Sequence, residues 1–298
     1  MKRKFHMLFL VMAVAAMGMT SCGKEDAPVF EFTDPTEGFI PADNAMDELS
    51  VLRRQFYAEN GSYLLFNDTL QHKYLGKDLN GDDKYFTELL DIQYEVGQTN
   101  TATTKVSYTN LGSVEKCVEA VDYLKRFILP HLSTKLRPFS WYIASTITYK
   151  DDQNTTTRPY AISGQRAIAL ACNLLNSLKT DAQKEQLATR HMLVIAANVA
   201  NNNSTAFSDF LAVSSSYYST DLPAHEGKTT TEVVREKGFL SSISISSYPT
   251  TAQDISAFCS LVLNYTDAQI EKAYAKYPLI VSKAKMFRAD LESLGYIY

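Results

Sequence analysis

Residues 113–149 read SVEKCVEAVDYLKRFILPHLSTKLRPFSWYIASTITY, and the two halves of this stretch follow different periodicities. In the first half Val114, Cys117, Val118, Val121, Leu124 and Ile128 recur at helical spacing behind Ser113. A serine oxygen can accept from an orphan N–H of the first turn, and the apolar stripe gives the helix a face to bury. Pro130 has no N–H to continue the ladder, so the helix is expected to stop there. In the second half, Phe139 to Tyr149 is rich in aromatic and β-branched residues, which predicts a buried strand. A helix that runs into a buried strand within one stretch points to a mixed α and β architecture.

Outward from this stretch the pattern continues. Toward the N-terminus a helix is expected after Asp43 or Asn44, with Met46, Leu49, Leu52, Arg53 and Phe56 at helical spacing, followed by a strand over Ser62 to Asn67 and a turn at Asn80-Gly81. Toward the C-terminus, Arg166 to Leu175 reads as a second strand and Asp181 to Ala200 as a helix. Ala206 to Ser247 is Ser/Thr-rich and irregular, with short segments only. Two helices are expected to close the chain, one capped by Thr266 with Gln269 three residues on, the other over Leu279 to Leu294. No internal repeat is visible.

The N-terminus has its own logic. Lys2, Arg3 and Lys4 precede an apolar run from Met7 to Met19, too short to span a bilayer and suited to a signal peptide over residues 1–21. The run ends in Met19-Thr20-Ser21-Cys22, which resembles the lipobox of bacterial lipoproteins, with Met19 standing where leucine is usual. The resemblance implies that Cys22 carries the lipid, palmitate-type acyl chains that together make a stable anchor where one would not. Gly23-Lys24-Glu25-Asp26 then looks like the surface-export signal of Bacteroidota lipoproteins. Residues 22–44 are rich in Pro, Asp, Glu and Gly and read as a lipidated N-terminus and flexible linker, leaving residues 45–298 as the folded domain.

The formal charge of −4 is interspersed along the chain and carries no nucleic-acid footprint. Beyond Cys22 only Cys117, Cys172 and Cys259 remain, an odd number in apolar stretches, and they read as buried free thiols.

The order of helix, strand, long loop, helix, Pro-led strand, second strand, helix, irregular loop and closing helices resembles the zinc-binding metallopeptidase lipoproteins of Bacteroidota. Leu49 to Leu65, Phe127 to Ile147 and Lys237-Gly238-Phe239-Leu240-Ser241 are the phrases that carry the likeness. It implies a zincin-like α+β single domain, a mixed sheet plus helices. It also implies an HExxH helix, in which two histidines one turn apart hold zinc and the intervening glutamate activates the bound water. The matching segment here is His191-Met192-Leu193-Val194-Ile195, so the first histidine is kept, the general base is Met192 and the second ligand is Ile195. The later acidic ligand and the acid four residues beyond it fall on Gln253 and Ala257, with Asp254 the one acid left in that segment. A single histidine cannot supply the three protein ligands usual at a catalytic zinc, and Met192 cannot take a proton from water. No catalytic residue, metal or cofactor is therefore assigned, and His191, Met192, Ile195, Gln253 and Ala257 are vestigial positions.

Other motifs are weaker. Of His72, His131, His191 and His225, each reads as a lone histidine with an ordinary hydrogen-bond partner, and His225-Glu226 lacks a second histidine. Asp78, Asn80 and Asp82 alternate as in a calcium loop, but Asp83 and Leu89 stand where glycine and the bidentate acid belong, so a hairpin turn is the better reading. Tyr217-Tyr218 and Tyr296 to Tyr298 are expected near the surface. The favoured function is a non-catalytic, cell-surface binding or accessory protein of the outer membrane. The resemblance implies a place beside a starch-utilisation-type transporter pair and its glycan or peptide ligand. The alternative is a hydrolase, most plausibly a peptidase, with a site not recognisable in the sequence.

Overall fold

The computed structural model describes residues 36, 38–90, 92, 105–150, 155–164, 166–225, 227–242 and 246–298. The signal segment, Cys22, most of the tether and Glu226 lie outside the described residues.

Helix α1 spans Glu48–Asn60. It starts later than its spacing predicts, because Asp47 and not Asp43 or Asn44 caps it, its carboxylate accepting from the Ser50 N–H at 2.9 Å. Met46 is accordingly left outside the helix and 79% exposed. Arg53 does not belong to an apolar stripe either. Its guanidinium donates to the carbonyls of Leu64 and Phe39, both at 2.7 Å, and burial lowers its pKa to about 10. This clamp and buried Phe39 pack the Gly38-Phe39 segment onto the folded unit.

Strand β1 (Tyr63–Leu65) follows, then a ribbon of β2 (Thr69–Lys77) and β3 (Asp83–Leu89) that turns at Asn80-Gly81 as expected. The Asp78 carboxylate accepts from the N–H groups of Asn80 and Asp82 at 2.8 and 3.0 Å, so it organises the turn. Strand β4 (Lys105–Thr109) precedes α2 (Val114–Tyr123), which Ser113 caps. The helix then loosens into a π turn over Leu124–Ile128 and tightens into a 3-10 turn over Leu129–His131 that contains Pro130. Val118 departs from the expected stripe and is exposed.

The predicted strand over Phe139 to Tyr149 is in fact two strands, β5 (Ser140–Ala144) and β6 (Thr146–Lys150), in different sheets. The break is at Ser145, whose N–H donates to the Thr109 carbonyl at 2.7 Å while its own carbonyl accepts from the Asn173 N–H. Every residue of β5 is buried, as in a parallel sheet covered on both faces, whereas β6 is only partly buried. Next come β7 (Thr156–Thr157), β8 (Ala161–Ser163) and β9 (Ile168–Ala171), the last occupying only the centre of the expected Arg166 to Leu175 strand. The remaining α-helices are α3 (Asp181–Asn202), α4 (Ser208–Ala212), α5 (Thr230–Glu236), α6 (Thr251–Asn264), α7 (Asp267–Ala273) and α8 (Pro278–Leu294), with only α4 and α5 interrupting the described turns and loops over Ser208 to Leu240. Thr180, Thr229, Thr250 and Thr266 each close a capping box on α3, α5, α6 and α7.

The fold is therefore α+β around a mixed sheet of order β1-β5-β9-β8, parallel except for the antiparallel edge strand β8. Side chains alternate across it. Leu64, Trp141, Ile143, Ile168 and Leu170 face the main core with α2, α3, α6 and α8, while Leu65, Tyr142, Ala144, Ala169 and Ala171 face a second core with Phe39 and Leu90. All three described cysteines are buried free thiols. Of the tyrosines expected near the surface, Tyr298 is exposed but Tyr296 is buried, pinned when the Leu132 strand bridge draws the C-terminus onto the core.

Candidate functional site

Helix α3 forms where the sequence predicts it, and its apolar face carries Leu187, Ala188, His191, Met192, Ile195 and Ala196 into the main core. His191 has 0% exposure. Its Nε2 lies 3.1 Å from the Ala171 carbonyl at the end of β9, and its Nδ1 lies 2.7 Å from the Tyr123 hydroxyl at the end of α2. A carbonyl can only accept, so Nε2 carries the proton and Nδ1 accepts from the tyrosine; both ring nitrogens are then satisfied in one neutral tautomer. Burial favours that neutral form and lowers the pKa to about 4. The same burial raises the pKa of Tyr123, which keeps its proton to donate.

Met192 and Ile195 are buried beside it, both in the main core. Helix α6 packs alongside α3, and the Cys259 thiol approaches the Leu193 carbonyl at 3.9 Å. The positions singled out in sequence thus lie on neighbouring helices, but their side chains serve different partners. The Gln253 amide oxygen accepts from the Thr250 N–H at 2.8 Å, closing the N-terminus of α6. Ala257 is half-buried. Asp254 is buried against α8 and does not share a hydrogen-bond partner with His191 among the described residues.

Asp254 belongs instead to a polar cluster that the sequence reading missed. Lys283 of α8 donates from Nζ to Asp254 Oδ2 at 2.5 Å and to Ser214 Oγ at 3.1 Å, while Tyr218 donates to the same Oδ2 at 2.7 Å. The Ser214 hydroxyl in turn donates to the Lys237 carbonyl at 2.8 Å. Burial pushes Asp254 up and Lys283 down, each toward its neutral form, against the mutual attraction of the pair. A signal was available: Lys283 occupies an apolar position of the stripe Ile280, Lys283, Ala284, Phe287 and Leu291, where a cation needs a buried partner.

The remaining described histidines have ordinary partners. His72 pairs with the Thr87 hydroxyl, His131 with the Ile297 carbonyl, and His225 with the Pro223 carbonyl and the Thr230 hydroxyl. A depression lined by Arg158, Tyr160, Ala171 and Asn173 abuts the groups that hold His191 without His191 lining it. Among the described residues no three His, Cys, Asp or Glu side chains converge as a metal site would require. Compared with family models, curated proteins and solved structures, the chain matches none of them.

Proposed function

We propose that the chain is a cell-surface lipoprotein, anchored in the outer membrane through Cys22, whose folded domain is a catalytically degenerate, zincin-like metallopeptidase fold. It acts by binding, as an accessory component of an outer-membrane nutrient-uptake complex of the starch-utilisation type. The observation that carries the reading is His191. A zinc ligand must offer a free nitrogen lone pair, and here Nδ1 accepts from Tyr123 while Nε2 donates to Ala171. Met192 and Ile195, at the positions of base and second ligand, contribute apolar packing to the core. The order of helix, strand, Pro-led strand, strand and long helix, followed by closing helices, supports the likeness of the fold. The lipobox-like Met19-Thr20-Ser21-Cys22 supports the anchor.

Elemental analysis of purified protein, paired with a peptide-library assay, tests the non-catalytic part. The expected outcome is sub-stoichiometric zinc and no chelator-sensitive cleavage. One zinc per chain, removed by chelation together with activity, would overturn it. Recovery of a transporter pair from outer membranes with the tagged chain tests the accessory role, and its absence from the recovered proteins counts against that role.

A further inference from the structure

The Lys283–Asp254 pair has a geometry that goes beyond that reading. Both side chains are sealed, with 0% and 1% exposure, and Nζ sits 2.5 Å from Oδ2. The ammonium is enclosed by the rings of Phe210, Phe239 and Phe258, with centroids 4.5, 5.0 and 4.9 Å from Nζ. Ser214 accepts from Nζ, and Tyr218 donates to Oδ2. The second carboxylate oxygen, Oδ1, is buried with no hydrogen-bond partner among the described residues. A buried carboxylate with an orphan oxygen is costly, and a desolvated charge pair recovers that cost only when its remaining lone pairs are satisfied.

We propose that Lys283 and Asp254 condense into an intramolecular amide that ties α8 covalently to α6. Sealed from water, the pair relaxes toward amine and carboxylic acid by transfer of one proton from Nζ to Oδ2. Burial shifts both groups in that direction. The Nζ lone pair then adds to Cγ. Only Oδ2 is tethered, so the carboxyl plane can turn to present its carbon to the amine. The half-buried Tyr218 already donates its hydroxyl to Oδ2 and so assists the departure of that oxygen. Oδ2, which takes up the protons from Nζ, leaves, and Oδ1 stays as the amide oxygen. Two of the three ammonium protons depart with it as water, and the third remains as the amide N–H within reach of Ser214. One C–O bond breaks, one C–N bond forms, no electrons are exchanged and no co-reactant is needed. Holding amine and acid in contact provides an effective concentration on the order of 10⁵–10⁸ M, which drives a condensation that is unfavourable between free groups in water. The product replaces two desolvated charges with a neutral amide and closes a covalent ring across a separation of 29 residues, in a chain whose three described cysteines form no disulfide.

Mass spectrometry of the purified full chain, denatured and digested with trypsin, tests this directly. The peptide from Gly238 to Lys272 should be joined to the peptide from Tyr277 to Lys285, at their summed mass less one water, with no cleavage after Lys283. Recovery of the separate unmodified peptides, cut at Lys283, from folded protein after prolonged incubation would overturn the proposal. The wild-type digest decides without any variant. Lys283→Met should yield the Gly238 to Lys272 peptide unjoined and at full mass, and loss of water from that peptide in this variant would place the reaction elsewhere and overturn the assignment.

Discussion

Replacing His191 with glutamine removes a titrating ring and keeps a polar side chain in its place. At about pH 7.5 the variant is expected to lose roughly 1–3 kcal/mol, from lost ring packing and from poorer alignment of at least one of the two bonds to Tyr123 and Ala171. The sharper expectation concerns pH. The folded chain holds His191 neutral down to about 4, while the unfolded chain protonates it near 6.5. The unfolded state therefore binds the extra proton, and acid favours unfolding. The contribution of His191 is whole above 6.5 and is lost as pH falls from there toward about 4. Between about pH 7.5 and about pH 4.5 this linkage removes roughly 2–3 kcal/mol from the wild type and nothing from the variant. The two unfolding curves should thus converge or cross in acid. Trp141, the single tryptophan, is fully buried in the central sheet and reports the transition in urea by fluorescence. A stability gap that stays constant between the two pH values would refute the account of His191 as a buried, doubly bonded neutral ring. Zinc that stabilised the wild type and not the variant would show the ring acting as a ligand.

Gly164→Ala should destabilise by about 2 kcal/mol or more in the same assay, because its added Cβ would overlap the Ile92 carbonyl, and a near-neutral result would remove that close approach. Iodoacetamide at mildly alkaline pH should leave Cys117, Cys172 and Cys259 unlabelled in the folded chain and label them after denaturation, since burial raises all three and pushes Cys172 and Cys259 up to about 12; rapid labelling of native protein would contradict this. Ser113→Ala should cost about 1 kcal/mol through the lost cap on α2, read as a shift in urea midpoint. Cys22→Ala should release the protein from the outer membrane or leave it unprocessed in the inner membrane, and continued outer-membrane fractionation with a fatty-acid label would sink the anchor proposal.

Local physics made part of this chain legible in its sequence. Ser113 and Thr266 announce helix starts because a hydroxyl one residue ahead of an apolar stripe has one good use, and both caps are present. The helical period placed His191 on the buried face of α3, and Asn80-Gly81 marked its hairpin. Tertiary structure decided what no period encodes. Phe139 to Tyr149 has continuous strand propensity, and only the pairing of Ser145 with Thr109 and Asn173 divides it between two sheets. Tyr123 lies 68 residues from the histidine it holds, and Lys283 lies 29 from its aspartate. Such pairs form because the packed core strips water from a polar group and leaves it only the partners the fold brings near, a choice made between distant segments and therefore absent from any local pattern.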